Sequence, residues 1–198
     1  MEPKKGSRGM SLVECTVTVA IMGILLLCVA PGLDNMNRRC ALATAAERIR
    51  QQMVRAQSTA AALSRNCGVY YFQSNGQWMY AIYEDENGNG VLRAEIASGV
   101  DRRIEGPAPL IDAMAPIVVG IGQGFTDPDT LDPFATGASP VEFNSSSICS
   151  FSQIGNGTPG SIFLTDGGNL GVAIRCSGSE GNLRKLYYAG KGQKWIEK

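Results

Sequence analysis

Apolar residues follow three different patterns along the chain, and each pattern predicts a different structure. Residues 15–33 are 19 positions without a charged side chain. A helix of that length, at about 1.5 Å per residue, comes close to the ~30 Å thickness of a bilayer core. Between residues 42 and 63 the apolar positions recur at alternating steps of four and three, which predicts an amphipathic helix docked on a sheet. After Asn66 the pattern changes to short β-branched and aromatic runs between turn residues, which predicts strands.

These patterns predict an α+β fold with one long N-terminal helix. Residues 10–33 would form its transmembrane half, residues 34–65 its amphipathic half, and residues 66–198 a soluble β-rich globular domain of small antiparallel sheets. A dimeric coiled coil is an alternative for the stripe at 42–63, but that stripe is alanine-rich and lasts barely three heptads, so docking is favoured.

The strand pattern predicts a first hairpin from residues 68–72 and 78–83, with Ser74-Asn75-Gly76 as its turn. A second turn at residues 85–90 leads into an expected strand at 91–96. The Gly- and Pro-rich residues 106–140 are expected to form loops around one short strand at 117–119. Further strands are predicted in the last third of the chain, at 141–143, 161–165, 170–175 and 183–188.

A short basic leader precedes the apolar run and ends at Gly9. A cut between Gly9 and Met10 would place a new α-amino group one helical turn from Glu14, where amine and carboxylate of neighbouring copies could pair. Leader, cut site and Glu14 together resemble the prepilin leader of type IV pilins and type II secretion pseudopilins. This resemblance implies cleavage after Gly9 and N-methylation of Met10 by a prepilin peptidase. It also implies a helix kink at Pro31 and Gly32, which fall where many such pilins have a helix-loosening proline.

A secretory signal and a plain membrane anchor are the alternatives, since both also combine basic residues with an apolar run. A secretory signal is cut after its apolar run, where Pro31 stands next to the plausible site. A plain anchor gives no reason for an acid such as Glu14 inside it.

The order of later features narrows the resemblance to the GspH/FimT group of minor pilins and pseudopilins. After the long helix come a Tyr- and Trp-rich hairpin, a Glu-Asp-Glu-Asn-Gly-Asn-Gly stretch at 84–90, and a Gly-Ser-Ile-Phe-Leu-Thr-Asp-Gly-Gly stretch at 160–168. The resemblance implies a structural subunit of a type IV pilus or type II secretion pseudopilus, with a spine helix against two small antiparallel sheets. Glu14 would pair with the methylated amine of a neighbouring Met10.

The implied partners are other pilin or pseudopilin subunits, the prepilin peptidase, an inner-membrane assembly platform and membrane lipid. The implied location is the inner membrane, crossed once, with the C-terminal domain in the periplasm. Lys4, Lys5 and Arg8 of the leader agree with a cytoplasmic N-terminus.

Two of the six cysteines, Cys15 and Cys28, lie in the apolar run and are interpreted as small hydrophobic residues. The other four, at positions 40, 67, 149 and 176, allow three pairings if the domain is exported. The pair Cys149 and Cys176 is preferred, because both positions lie in the strand-rich part.

No catalytic residue, cofactor or metal is predicted. The chain contains no histidine, no recognisable nucleophile motif and no Cys-x-x-Cys pair. Asp85-x-Asn87-x-Asn89-Gly90 resembles the start of a calcium loop, but its twelfth position is Ile96 instead of a glutamate. A hairpin turn is therefore the favoured interpretation.

The formal net charge is zero, yet residues 84–142 are rich in acids and residues 170–198 rich in bases. Opposed charges of this kind suit packing between neighbouring subunits, with solvated faces as the alternative. Four of the bases lie among Tyr187, Tyr188 and Trp195, a mixture suited to DNA: Arg184, Lys185, Lys191 and Lys194. The alternative function is therefore a DNA-binding minor pilin of a DNA-uptake pilus. The Gly-Arg-x-Arg element of such pilins corresponds here to residues 181–184, which lack its first arginine.

Overall fold

The computed structural model describes residues 11–112, 114–189 and 195–197, without the side chains of 27–31 and 189. The chain divides into two compact units, Met1–Asn37 and Arg38–Lys198. Its first element is helix α1, Leu12–Leu63, of 52 residues.

The expected transmembrane half of α1 is contradicted. In the part of the chain that the structure describes, no helix combines the length and the apolar character needed to cross a bilayer. The predicted fold class, with residues 10–33 as a membrane span, and the single-pass inner-membrane location are therefore wrong.

The second unit contains ten strands and one short helix among its described residues. The strands are β1 (Cys67–Ser74), β2 (Gln77–Glu84), β3 (Arg102–Pro109), β4 (Val118–Val119), β5 (Val141–Phe143), β6 (Ile148–Phe151), β7 (Gly160–Thr165), β8 (Leu170–Cys176), β9 (Leu183–Ala189) and β10 (Ile196–Glu197); the short helix is α2 (Arg93–Ser98). One sheet has the order β3-β2-β1-β6. The other has the order β10-β9-β8-β7-β4, with β5 also paired to β7. Every pairing is antiparallel.

The predicted hairpin is confirmed in β1 and β2, which pair from Cys67 with Glu84 to Ser74 with Gln77. Its turn consists of Asn75 and Gly76, both at positive φ (51° and 75°), as a two-residue turn between twisted strands requires. The predicted strands at 141–143, 161–165, 170–175 and 183–188 correspond to β5, β7, β8 and β9, and the short strand at 117–119 to β4.

The core lies where α1 meets both sheets. The predicted apolar stripe is buried from Leu42 to Ala60, with Ile49 and Met53 completely enclosed, whereas Leu63 at the end of the helix is 44% exposed. The largest enclosed side chains opposite the helix are Tyr71, Phe143 and Phe151. Tyr71 and Phe143 stack with ring centroids 6.0 Å apart.

The strand expected at 91–96 is wrong, because Arg93–Ser98 form helix α2. Ala94, Glu95 and Ala97 favour helix over strand, and the side-chain amides of Asn87 and Asn89 donate to Glu95 Oε1 at 3.0 and 2.8 Å. These bonds fix the preceding turn against the helix.

Strand β3 was not predicted, because its sequence contains Gly106, Pro107 and Pro109. Proline is tolerated at the edge of a sheet, where no neighbouring strand requires its missing N–H. β3 is such an edge, and its register against β2 shifts twice between Tyr80 and Tyr83.

Candidate functional site

Glu14 has a local hydrogen-bond partner in the first turn of α1. The helix begins at Leu12, so Ser11 is its N-cap and Glu14 its third helical residue. The backbone N–H of Ser11 donates to Glu14 Oε2 at 2.8 Å, as in a capping box. The carboxylate also lies where the helix dipole favours a negative charge. Glu14 therefore helps to start the helix, a role that the Ser-x-x-Glu pattern at 11–14 signals and that sequence reasoning missed.

The apolar side chains that follow Glu14 are exposed around the whole helix. Val17 is 51% exposed, Met22 63% and Leu26 71%. The hydroxyls of Thr16 and Thr18 donate to backbone carbonyls of the preceding turn, at 2.9 Å to Val13 and 2.7 Å to Glu14, so they offer little polar surface. A helix that is apolar all round is normally covered by other groups. This part of α1, residues 11–26, is called the exposed apolar segment below.

The structure describes some of the other predicted site residues near the N-terminus and not others. Gly9 and Met10 lie outside the described residues. Pro31 and Gly32 lie inside α1, whose helical backbone runs through both positions. The predicted kink at Pro31 and Gly32 stays a prediction.

The predicted basic DNA surface contains residues that are already paired within the chain. Lys185 on β9 reaches across to α1, where its Nζ lies 2.8 Å from Glu47 Oε2. Arg184 lies 3.5 Å from the carboxylate of Glu197 on β10. Lys191 and Lys194 lie outside the described residues. The described cations are thus partly neutralised by their own chain.

Glu47 forms the centre of an ion cluster that sequence reasoning missed. Its Oε1 accepts from Arg50 Nη2 at 2.8 Å, three residues further along the helix. Hydrogen bonds from Arg50 and then from Lys185 lower the pKa of Glu47 from 4.5 to about 2. The cluster consequently ties α1 to β9 while Glu47 is ionised. The i,i+3 spacing of Glu47 and Arg50 was the available sequence signal.

The aromatic residues near these bases are engaged in packing. Tyr188 is buried and donates its hydroxyl proton to Gly124 O at 2.7 Å. Trp195 Nε1 donates to Thr126 O at 2.7 Å. Both rings pack on Phe125, with centroids 4.6 and 5.4 Å from it. These two rings therefore stabilise the fold around Phe125.

A shallow groove of about 630 Å³ lies on the outer side of the first sheet. Tyr70 and Phe72 form one wall, with stacked rings 5.2 Å apart. The guanidinium of Arg93 lies 5.7 Å from the Tyr70 centroid and donates to Ser147 Oγ at 3.0 Å. Sequence reasoning missed this groove, since its residues come from β1, α2 and the loop before β6.

The carboxylate of Asp85 organises the turn at residues 85–90. It accepts hydrogen bonds from the backbone N–H groups of Asn87, Gly88 and Gly90, the last two at 2.7 Å. It also accepts from the side-chain amide of Asn66 at 2.8 Å, so both oxygens are occupied by groups of the chain. Within the described residues, no group of three or more Cys, Asp or Glu side chains is placed to hold a metal ion.

The structure brings Cys149 and Cys176 together. Both are fully buried free thiols, and they lie close enough for each to shift the pKa of the other. Cys67 is also buried, whereas Cys15 and Cys40 are exposed.

Comparison with known proteins returned no match among family models, curated proteins or solved structures.

Proposed function

We propose that the chain is a pilin-like structural subunit, a minor pilin or pseudopilin, that joins the filament of a type IV pilus or a type II secretion system. The observation that carries this proposal is the exposed apolar segment of α1 with the carboxylate of Glu14 in its first turn. The leader that ends at Gly9 supports it, because cleavage there would release an α-amino group close to that carboxylate.

Helix packing between subunits gives the exposed apolar segment a function. Covering an exposed Leu, Ile or Met side chain contributes about 1.5–3 kcal/mol. The segment presents several such residues, among them Leu12, Ile21, Met22 and Leu26. Neighbouring helices of the same kind would cover them, while the domain that follows carries the surface specific to this subunit.

Glu14 would set the axial position of each subunit in the filament. Within the described residues, its carboxylate accepts the neutral backbone N–H of Ser11. A cationic terminal amine on a neighbouring Met10 would add a charge-assisted hydrogen bond, about twice as strong as a neutral one.

The processing step is tested by intact-mass analysis. The full chain is expressed with and without a prepilin peptidase. We expect the peptidase to remove residues 1–9 and to add one methyl group to the amine of Met10. A Gly9→Val variant is the control and is expected to remain uncut. A wild-type chain that still begins at Met1 in the presence of an active peptidase contradicts the proposal.

A variant that keeps the helix cap but lacks the negative charge tests the role of that charge on Glu14. Glu14→Gln keeps an oxygen that can accept from Ser11, as a capping box allows, but removes the negative charge. Incorporation into sheared filaments is measured by immunoblot in the native host. We expect the variant to lose at least about tenfold in incorporation, equivalent to 1.4 kcal/mol per contact, while Glu180→Gln behaves as the wild type. Normal incorporation of Glu14→Gln would show that Glu14 acts only as a cap.

DNA binding receives less support as an alternative. Lys185 and Arg184 both have acidic partners, at 2.8 and 3.5 Å, so binding a phosphate would require breaking those pairs. Retardation of duplex DNA by the full chain at low salt, weakened by Lys185→Ala, would favour this alternative.

A further inference from the structure

Cys149 and Cys176 come from different sheets. Cys149 lies on β6, paired with Val69 of the first sheet. Cys176 ends β8 in the second sheet, paired with Gly160 and Leu183. No strand pairing joins the two sheets in the described ranges. A bond between these two sulfur atoms would therefore be a covalent link between the sheets.

The core around the two sulfur atoms is closely packed. A Cβ atom on Gly157 would lie 2.6 Å from Cys176 Sγ and 3.1 Å from the Phe151 ring, so a glycine is needed there. The buried hydroxyl group of Tyr71 finds no hydrogen-bond partner among the residues that the structure describes, and its pKa is raised by burial and by both thiols. Tyr71 thus shares the same enclosed space as the two cysteines.

We propose that Cys149 and Cys176 form a disulfide that cross-links the two sheets, and that it forms while the chain folds. Both S–H bonds break and one S–S bond forms. The two electrons and two protons pass to a disulfide oxidant, either a thiol–disulfide oxidoreductase or oxidised glutathione, which is reduced to its dithiol or to two thiols.

Burial decides when this reaction takes place. Exchange requires a thiolate that the oxidant can reach. Both sulfur atoms are fully enclosed once the core has formed, so an oxidant cannot reach either of them in the folded chain. Oxidation must therefore precede closure of the core, and the same burial then protects the bond from reductants.

Cys67 provides a matched control in the same core. It is fully buried on β1. Burial, with the nearby carboxylates of Glu84 and Asp85, raises its pKa to about 11. On β1 it lies opposite Phe151, whereas Cys149 lies opposite Val69, two residues further along the strand, so Cys67 is expected to stay a thiol.

The experiment compares refolding with treatment of the folded protein. The full chain is reduced and unfolded, and then refolded in a mixture of oxidised and reduced glutathione. Remaining thiols are alkylated under denaturing conditions, and the linked peptides are mapped by mass spectrometry. We expect residues 149 and 176 in one linked species, two hydrogen atoms lighter than the reduced pair, with Cys67 alkylated. A Cys67→Ser variant is expected to form the same link.

The second arm places the reduced, folded chain in the same glutathione mixture. We expect its oxidation to be at least about 100-fold slower than during refolding, because access requires opening of the core. Alkylation of both Cys149 and Cys176 after refolding, or linkage of either one to Cys67 or Cys40, would overturn the proposed pair. Equally fast oxidation of the folded chain would overturn the proposed timing.

Discussion

At the scale of single residues, Glu47 contributes most clearly to the fold through its charge. Its carboxylate bonds Arg50 within the helix and Lys185 on β9. Replacing it by glutamine keeps the size of the side chain but removes the charge. We expect Glu47→Gln to lower the free energy of unfolding by about 1 kcal/mol near neutral pH, because solvent screens a side chain that is about one-third exposed.

The loss of stability in Glu47→Gln should depend on pH, and the lowered pKa of Glu47 fixes the direction of that dependence. The folded state lowers the pKa of Glu47 from 4.5 to about 2, so the ionised form stabilises the fold. This contribution is complete above the ordinary pKa and disappears as the pH falls towards 2. Urea unfolding of wild type and variant between about pH 3 and 7 should show the difference shrinking with acid. Exposed Glu180→Gln is the control, and a difference independent of pH would contradict the assigned role.

At the scale of elements, the periodic pattern of apolar residues in α1 correctly predicts which side chains of the helix are buried. The period of the apolar residues places Met53 inside and Val54 outside, and the structure has them 0% and 37% exposed. The Ser74-Asn75-Gly76 turn between two strand-like runs likewise predicted a hairpin, and the structure confirms it. Such signals act between neighbours in sequence, which is why they can be read from a single chain.

Met53→Ala and Val54→Ala test the docking of this helix face. We expect Met53→Ala to lower the free energy of unfolding by about 3 kcal/mol, since it leaves a cavity between helix and sheets. Val54→Ala should change it by no more than about 0.5 kcal/mol. Urea unfolding of the full-length variants, followed by circular dichroism, measures both. Equal losses in the two variants would mean that the helix does not dock by this face.

Elements that depend on distant partners were not predictable in the same way. Arg93–Ser98 became a helix, in part because Asn87 and Asn89 bind Glu95. The Glu47 and Lys185 pair joins residues 138 positions apart, and no local pattern encodes such a distance. The transmembrane expectation came from one local property, the uncharged run at 15–33, and no helix among the described residues is long and apolar enough to cross a membrane.

At the scale of the whole molecule, the second unit consists of two sheets that share one core beneath α1. Side-chain packing and the Glu47 cluster hold these layers together reversibly. The proposed link between Cys149 and Cys176 would close a loop of 27 residue steps across the two sheets. Closing a loop of that length restricts the unfolded chain and stabilises the fold by about 3 to 4 kcal/mol.

This stabilisation is measurable as a dependence on reductant. The oxidised full chain is unfolded in urea with and without a thiol reductant that acts on the unfolded state. We expect the reductant to lower the free energy of unfolding by about 3 to 4 kcal/mol in the wild type. The Cys149→Ser/Cys176→Ser double variant should show no reductant effect, whatever its own stability. A reductant effect of equal size in both proteins would assign the stabilisation to another pair of cysteines. If the wild type is shown to be oxidised and the reductant still has no effect, the link does not measurably raise the free energy of unfolding.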